Sequence, residues 1–298
     1  MSYDKEKDLT GKVAEALNSA KDFNFKERFG EIPKSIMKFK KSKELMELID
    51  WDDSELGKIE GEARQRGGGY AKELRYSIYN PDQAAFILDY YTKPGYVILD
   101  PFMGRATRPI ISLYLGRKYI GYDTSIKTIE LNKKIVDEKF PNAKCKLVYG
   151  DGTELIDLNF KENCIDAVFT CPPYYNIEKY SNSQGDLSYL SVSDYNKRIE
   201  ILFNNLYRLL KPSNYKTLEF HPVIITVGSV RKGIEGLIDM DYIFQKIARE
   251  SGFILYDKIF TENITPGAGF TFRRNYCYSY VTKNYETTLV FMKFSTVV

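Results

Sequence analysis

The chain has 298 residues, with 43 lysines and arginines against 40 aspartates and glutamates, a formal charge of +3, 43% apolar residues and 28% charged residues. This length allows one large domain or two small ones, and the composition excludes wholesale disorder. The charge balance excludes a polycation, so any contact with nucleic acid has to come from a local patch.

The opening MSYDKEKDLT is charged from the start, which predicts no signal peptide. No apolar run reaches about 18 residues, which predicts no transmembrane helix. The cysteines Cys145, Cys164, Cys171 and Cys277 lack zinc-knuckle or redox-dithiol spacing and suit a reducing compartment, so a cytoplasmic protein is expected. His221 is the single histidine, which rules out a His-rich metal site, and no metal is expected.

Residues 1–79 read as a helix-prone, polar extension with a lysine cluster at Lys34, Lys38, Lys40, Lys41 and Lys43. Arg64, Gln65 and Arg66 followed by Gly67, Gly68 and Gly69 predict a loop or hinge. Residues 80–298 are more regular. Asn80 as N-cap and Pro81 as first helical residue open a helix whose apolar face holds Ala84, Ile87, Leu88 and Tyr91. Strands are predicted at 96–99, 119–122, 146–149, 165–170, 223–227, 253–258 and 287–294. Helices are predicted at 106–115, from Ser125 to about Phe140, from a Ser193 cap to about Leu210, and at 241–251. Strands alternating with helices predict a mostly parallel sheet built from crossover units, with the last two strands as an antiparallel edge hairpin.

Ligands of such sheets sit beyond the carboxyl ends of the strands, and there the sequence places Asp100, Asp123, Asp151 and Cys171-Pro172-Pro173-Tyr174. The first turn, Asp100-Pro101-Phe102-Met103-Gly104-Arg105-Ala106-Thr107, matches neither a phosphate loop nor a G-x-G-x-x-G fingerprint, which makes a nucleoside triphosphate a poor candidate. A carboxylate at Asp100 can pair with an amine. Asp123 stands where ribose hydroxyls are held in nucleoside-binding folds, and Asp151 can accept from an adenine amine. Together they suit an adenosine with an amino-acid tail. In the fourth turn two prolines stiffen the backbone and keep their carbonyls as acceptors beside an aromatic, which suits a planar base with an exocyclic amine.

These two motifs, in this order and about seventy residues apart, resemble those of class I S-adenosylmethionine-dependent amino-methyltransferases acting on cytosine N4 or adenine N6 of DNA. Gly-Tyr-Asp at 121–123, Gly-Asp-Gly-Thr at 150–153 and the last strand fit the same pattern, and the resemblance covers roughly residues 65–298. It implies a Rossmann-like α/β fold with a seven-stranded, mostly parallel sheet, and S-adenosylmethionine as cofactor. It implies cofactor contacts from Asp100, Pro101, Phe102, Gly104, Thr107, Asp123 and Asp151. It implies a catalytic turn of Cys171, Pro172, Pro173 and Tyr174, with a flipped-out base stacked on Tyr174. The family usually has an oxygen acceptor where this chain has Cys171, and a thiol accepts weakly. Cysteine is nearest in shape to the serine of N4-cytosine enzymes, which favours cytosine over adenine. Three readings stay open: the Pro172 carbonyl suffices, another base is the target, or activity is lost.

Tyr175, Glu178 and Tyr180 follow the catalytic turn and are expected to face double-stranded DNA, joined by Arg231, Arg273 and Arg274 as phosphate or base contacts. Residues 1–79, with Arg64 and Arg66, are expected to pack beside the DNA cleft. The protein is expected to be a monomer or homodimer. An RNA base methyltransferase and a catalytically degenerate nucleic-acid-binding subunit are the rival readings.

Overall fold

The computed structural model describes residues 27, 33–49, 79–155, 159–173, 187, 190–231, 236–262 and 284–295. The strands are β1 (Ile36–Met37), β2 (Val97–Asp100), β3 (Lys118–Asp123), β4 (Cys145–Tyr149), β5 (Ala167–Thr170), β6 (Pro222–Val227), β7 (Val230–Arg231), β8 (Leu237–Ile238), β9 (Ile254–Glu262) and β10 (Tyr285–Met292). The helices are α1 (Lys43–Ile49), α2 (Pro81–Tyr91), α3 (Thr107–Tyr114), α4 (Ile126–Lys139), α5 (Val192–Leu209) and α6 (Met240–Glu250).

The helix starts follow their capping chemistry. The Asn80 side chain accepts from the backbone N–H of Asp82 and Gln83, and Pro81 fills the position whose N–H has no helical acceptor. Ser125 accepts from Thr128 N–H to open α4. The expected Ser193 cap is corrected to Ser191. Its hydroxyl accepts from Asp194 N–H at 3.1 Å, so the helix starts two residues earlier.

Eight strands form one sheet in the order β1-β9-β10-β6-β5-β2-β3-β4, and β7-β8 is a separate two-stranded ribbon. β4, β3, β2, β5 and β6 pair in parallel, while β10 runs antiparallel between β6 and β9. The predicted hairpin is therefore present, but it does not form the sheet edge. β1 pairs in parallel outside β9, with Ile36 opposite Phe260. Two residues carry no detectable periodicity, so β1 has no sequence signal. α1 packs on α2 and α3, and Met37 and Ile49 are buried in the same core as the sheet.

Both sheet faces are covered, which explains the near-continuous apolar runs of the central strands. One core joins Leu99, Val168, Val223, Ile225 and Phe291 to Ile199, Leu202, Phe203 and Leu206 of α5 and Phe244 of α6. The other joins Ile98, Phe169, Ile224 and Val290 to Ile87 and Leu88 of α2 and Ile110 and Ile111 of α3. Residues alternate between the two cores along each strand, as the pleat requires. With β2 central, the loops after β3 and β5 flank the loop after β2. No helix among the described residues is long and apolar enough to cross a membrane.

Candidate active site

Asp100 ends β2 and is fully buried. One carboxylate oxygen accepts from Thr170 Oγ1 at 2.6 Å and Phe102 N–H at 3.1 Å. The other accepts from Arg108 Nε at 2.6 Å and the Tyr119 hydroxyl at 2.7 Å. Arg108, on the first turn of α3, also donates to the carbonyls of Phe102 and Met103 and lies over the Tyr79 ring, 5.4 Å from its centroid. Burial works against the Arg108 cation, but the Asp100 carboxylate outweighs it and holds the guanidinium charged. Burial, aided by the Asp100 charge, keeps Tyr119 a protonated donor. Thus Asp100, at the end of β2, ties together the start of β3, the end of β5 and α3, with both oxygens engaged by the protein.

The Gly104 peptide is gripped from both sides. Its N–H donates to Asp123 at 2.9 Å, and its carbonyl accepts from Asn132 Nδ2 at 2.7 Å. Asp123 ends β3, is half-buried, and accepts Ser125 N–H at 2.8 Å through its other oxygen. Burial raises its pKa to about 6, against the lowering effect of those two N–H donors. Pro101 is buried, Phe102 and Gly104 are half-buried, and Thr107 is buried with no partner for its hydroxyl among the described residues.

The third loop presses on the first: a Cβ on Gly152 would lie 1.8 Å from the Pro101 carbonyl oxygen. Beside it, half-buried Asp151 accepts from Thr153 N–H at 2.8 Å and Thr153 Oγ1 at 2.7 Å through one oxygen. The Arg198 guanidinium of α5 pairs with the other oxygen of Asp151 and with Glu154.

β5 delivers Cys171, half-buried, then buried Pro172 and half-buried Pro173. The Pro173 carbonyl accepts from the Tyr195 hydroxyl at 3.1 Å. Cys171 lies within electrostatic range of Tyr79, Arg108 and Tyr195. Tyr79 sits edge-on to Phe169 and shares a hydroxyl hydrogen bond of 2.8 Å with Thr226, which shares one of 2.9 Å with Thr288. Burial keeps both Tyr79 and Tyr195 protonated.

The structure therefore brings Asp100, Phe102, Gly104, Thr107, Asp123, Asp151 and the Cys171–Pro173 turn to one end of the sheet. Tyr174, Tyr175, Glu178, Tyr180, Arg273 and Arg274, and also Arg64 and Arg66, lie outside the described residues. The backbone of Arg231 lies in β7, opposite Leu237 of β8. Sequence reasoning missed Tyr79, Arg108, Tyr119, Asn132, Thr170, Tyr195 and Arg198. For Arg108 a signal existed: a cation one residue after Thr107, opening an otherwise apolar helix next to a strand-end aspartate. Among the described residues, no group of three or more His, Cys, Asp or Glu is placed to hold a metal ion.

This strand order, with the one reversed strand, β10, between β6 and β9, defines the Rossmann-like fold of class I methyltransferases. A family model described as DNA methylase (N6_N4_Mtase) matches residues 4–134, and this match supports an N4-cytosine/N6-adenine DNA methyltransferase that uses S-adenosylmethionine. The match takes in nearly all of the predicted extension and ends before the Cys-Pro-Pro-Tyr turn.

Among solved structures, the chain is similar to the [4+2]-cyclase SpnF, with 13% identity, TM-score 0.49, and coverage of 72% of this chain and 82% of that one. It is also similar to a putative sarcosine dimethylglycine methyltransferase from Galdieria sulphuraria, with 11% identity, TM-score 0.48, and coverage of 72% and 85%. A TehB-like SAM-dependent methyltransferase from Corynebacterium glutamicum gives 18% identity, TM-score 0.43, and coverage of 70% and 86%. No curated protein matches the sequence.

Proposed function

We propose that this chain methylates the exocyclic amine of a flipped-out base in double-stranded DNA, cytosine N4 in preference to adenine N6, using S-adenosylmethionine. The carrying observation is that the Cys171-Pro172-Pro173 turn is tied through Thr170 to Asp100 of the first loop, and that this same loop is held by Asp123 at Gly104 and approached by Gly152, next to Asp151, at Pro101.

The residues fit the cofactor. Two half-buried carboxylates, Asp123 and Asp151, have their protein-side contacts filled and stand at adjacent strand ends, and Thr107 offers a buried hydroxyl with no partner among the described residues. S-adenosylmethionine supplies an electrophilic methyl group on sulfur. Asp123 accepts from ribose hydroxyls, Asp151 from the adenine amine, and Phe102 covers the apolar side of the site. Asp100 serves by holding the loop through its inward contacts. The Pro172 carbonyl accepts a hydrogen bond from the target amine, which localises the nitrogen lone pair for attack, while Tyr174 stacks on the base. Cys171 stands in the acceptor's place and adds little, so the proline carbonyl has the larger part. Tyr175, Glu178, Tyr180, Arg231, Arg273 and Arg274 contact the DNA, with Arg64 and Arg66 of the N-terminal segment beside the cleft.

Nucleoside mass spectrometry after incubation with S-adenosylmethionine and, separately, unmodified genomic DNA and total RNA tests this reading. N4-methylcytosine in DNA is expected. A mark confined to RNA would overturn the DNA assignment, and failure to bind the cofactor would favour the degenerate-subunit reading. Deleting residues 1–32, which leaves β1 and α1 in place, is expected to weaken DNA affinity, measured by footprinting; an unchanged footprint and affinity would remove those residues from the DNA site.

Asp123 gives a pH prediction. Ribose hydroxyls donate to its carboxylate and therefore favour the ionised form. Cofactor affinity is expected to fall about tenfold per pH unit below about 6, and Asp123→Asn to bind weakly with that dependence gone. Its effect on the fold has the opposite sign. The folded pKa lies above the ordinary value of 3.8, so this group stabilises the free protein most at low pH and loses that contribution as pH rises through about 6. Calorimetric titration and thermal melts across this range separate the two trends.

A further inference from the structure

α5 touches both halves of the site from one face. Tyr195, Arg198, Leu202 and Asn205 are spaced by three, four and three residues, which places them on a single helical stripe. Leu202 is fully buried, as are Ile199, Phe203, Leu206 and Leu209, so the helix is fixed on the sheet. From this base Tyr195 donates to the Pro173 carbonyl at 3.1 Å. Arg198 bridges Asp151 and Glu154. Asn205 Nδ2 donates to the carbonyls of Thr153 at 3.0 Å and Glu154 at 3.1 Å. The three contacts span about 15 Å of helix.

The division of labour follows from the atoms contacted. Asn205 holds loop backbone, which is enough to keep the loop in place. Arg198 addresses the carboxylate of Asp151 itself. With Thr153 donating twice to one oxygen and Arg198 to the other, the orientation of that carboxylate is set from both sides. Tyr195 addresses the carbonyl that shares a peptide unit with Tyr174, so its hydroxyl fixes the plane in which the chain leaves the Pro-Pro turn. Methyl transfer needs donor and acceptor in line, and a small misplacement of either is costly.

We propose that α5 is the element that sets cofactor and base against each other, with Arg198 the positioning residue for the cofactor through Asp151 and Tyr195 the positioning residue for the base through Pro173. This assignment rests on the methyltransferase reading above. The two residues act on different partners, so their loss separates binding from turnover.

The test uses the full-length protein, S-adenosylmethionine and unmodified genomic DNA. Tyr195→Phe keeps the ring in the core and removes one hydroxyl. It is expected to lower kcat about tenfold or more, with the cofactor dissociation constant within about twofold of the parent. Arg198→Ala is expected to weaken cofactor binding about tenfold or more, and Arg198→Lys to recover part of it, since a point charge restores attraction without the two-carboxylate bridge. Melting temperatures control for folding. Equal losses of binding and turnover in both variants, tracking a drop in melting temperature, would reduce α5 to a structural support and overturn the proposal, as would full activity in Tyr195→Phe. If the methylation reading itself fails, the parent protein binds cofactor and leaves DNA and RNA unmarked. The Arg198 arm, read by titration calorimetry, then still decides its half.

Discussion

Gly152→Ala is expected to abolish cofactor binding and to lower the melting temperature by about 10 °C. A Cβ at this position would lie 1.8 Å from the Pro101 carbonyl oxygen and 2.6 Å from its carbon. Both are backbone atoms, so no side chain can rotate away, and the first and third loops have to separate. Overpacking in a tight interior costs about 1–3 kcal/mol, more when backbone has to move. In a domain of this size each kcal/mol is worth roughly 2–4 °C. Separation also moves the Asp151 loop away from Pro101 and the loop Asp123 holds, which is why binding suffers beyond the loss of stability. Gly104→Ala is the matched control. Its φ of +56° strains an alanine, but a Cβ there meets nothing closer than 3.9 Å, so the cost is confined to about 1–2 kcal/mol of backbone conformation. Thermal melts and cofactor titration of the two variants compare loop contact with loop conformation. A Gly152→Ala protein with parental melting and affinity would show that the loops do not depend on this approach.

What the sequence made legible was local. Asn80-Pro81 and Ser125 announce their helices because a cap's acceptor and the N–H groups it satisfies are two or three residues apart. Asp100, Asp123 and Asp151 were visible as strand-end residues for the same reason. The inward course of the Asp100 carboxylate was not. Asp100 turns inward because Thr170 and Tyr119, 70 and 19 residues away, meet it only once β5 and β3 flank β2. Tyr79 reaches Thr226 across 147 positions, a pairing that depends on strand order and has no periodic trace. Ser191 and Ser193 are both good caps, and the choice fell to Asp194, whose N–H meets Ser191 and whose carboxylate accepts the Ser191 hydroxyl. Tyr195 and Arg198 read as ordinary residues of an amphipathic helix, since nothing in the sequence says which loops that helix will face.

The buried network around Asp100 leads to the second large effect. Arg108→Met is expected to cost about 3–5 kcal/mol, because it leaves a carboxylate with no cation in a fully buried position. The methionine fills most of the space, so the loss is electrostatic rather than a cavity. The three remaining donors, Thr170, Tyr119 and Phe102 N–H, are neutral, and they cannot replace a guanidinium that also holds the Phe102 and Met103 carbonyls. Asp100→Asn alone is expected to be costly too, since it strands the Arg108 cation and turns an amide donor toward donors. The two changes together are expected to cost clearly less than the sum of the singles, because each removes the charge that the other leaves unpaired. Urea denaturation of the three variants at neutral pH gives the coupling energy directly. Additive losses would mean that Asp100 and Arg108 stabilise the loop independently. A coupling of 2 kcal/mol or more, on the order seen for contacting charges, would identify the pair as one unit that shapes the first loop.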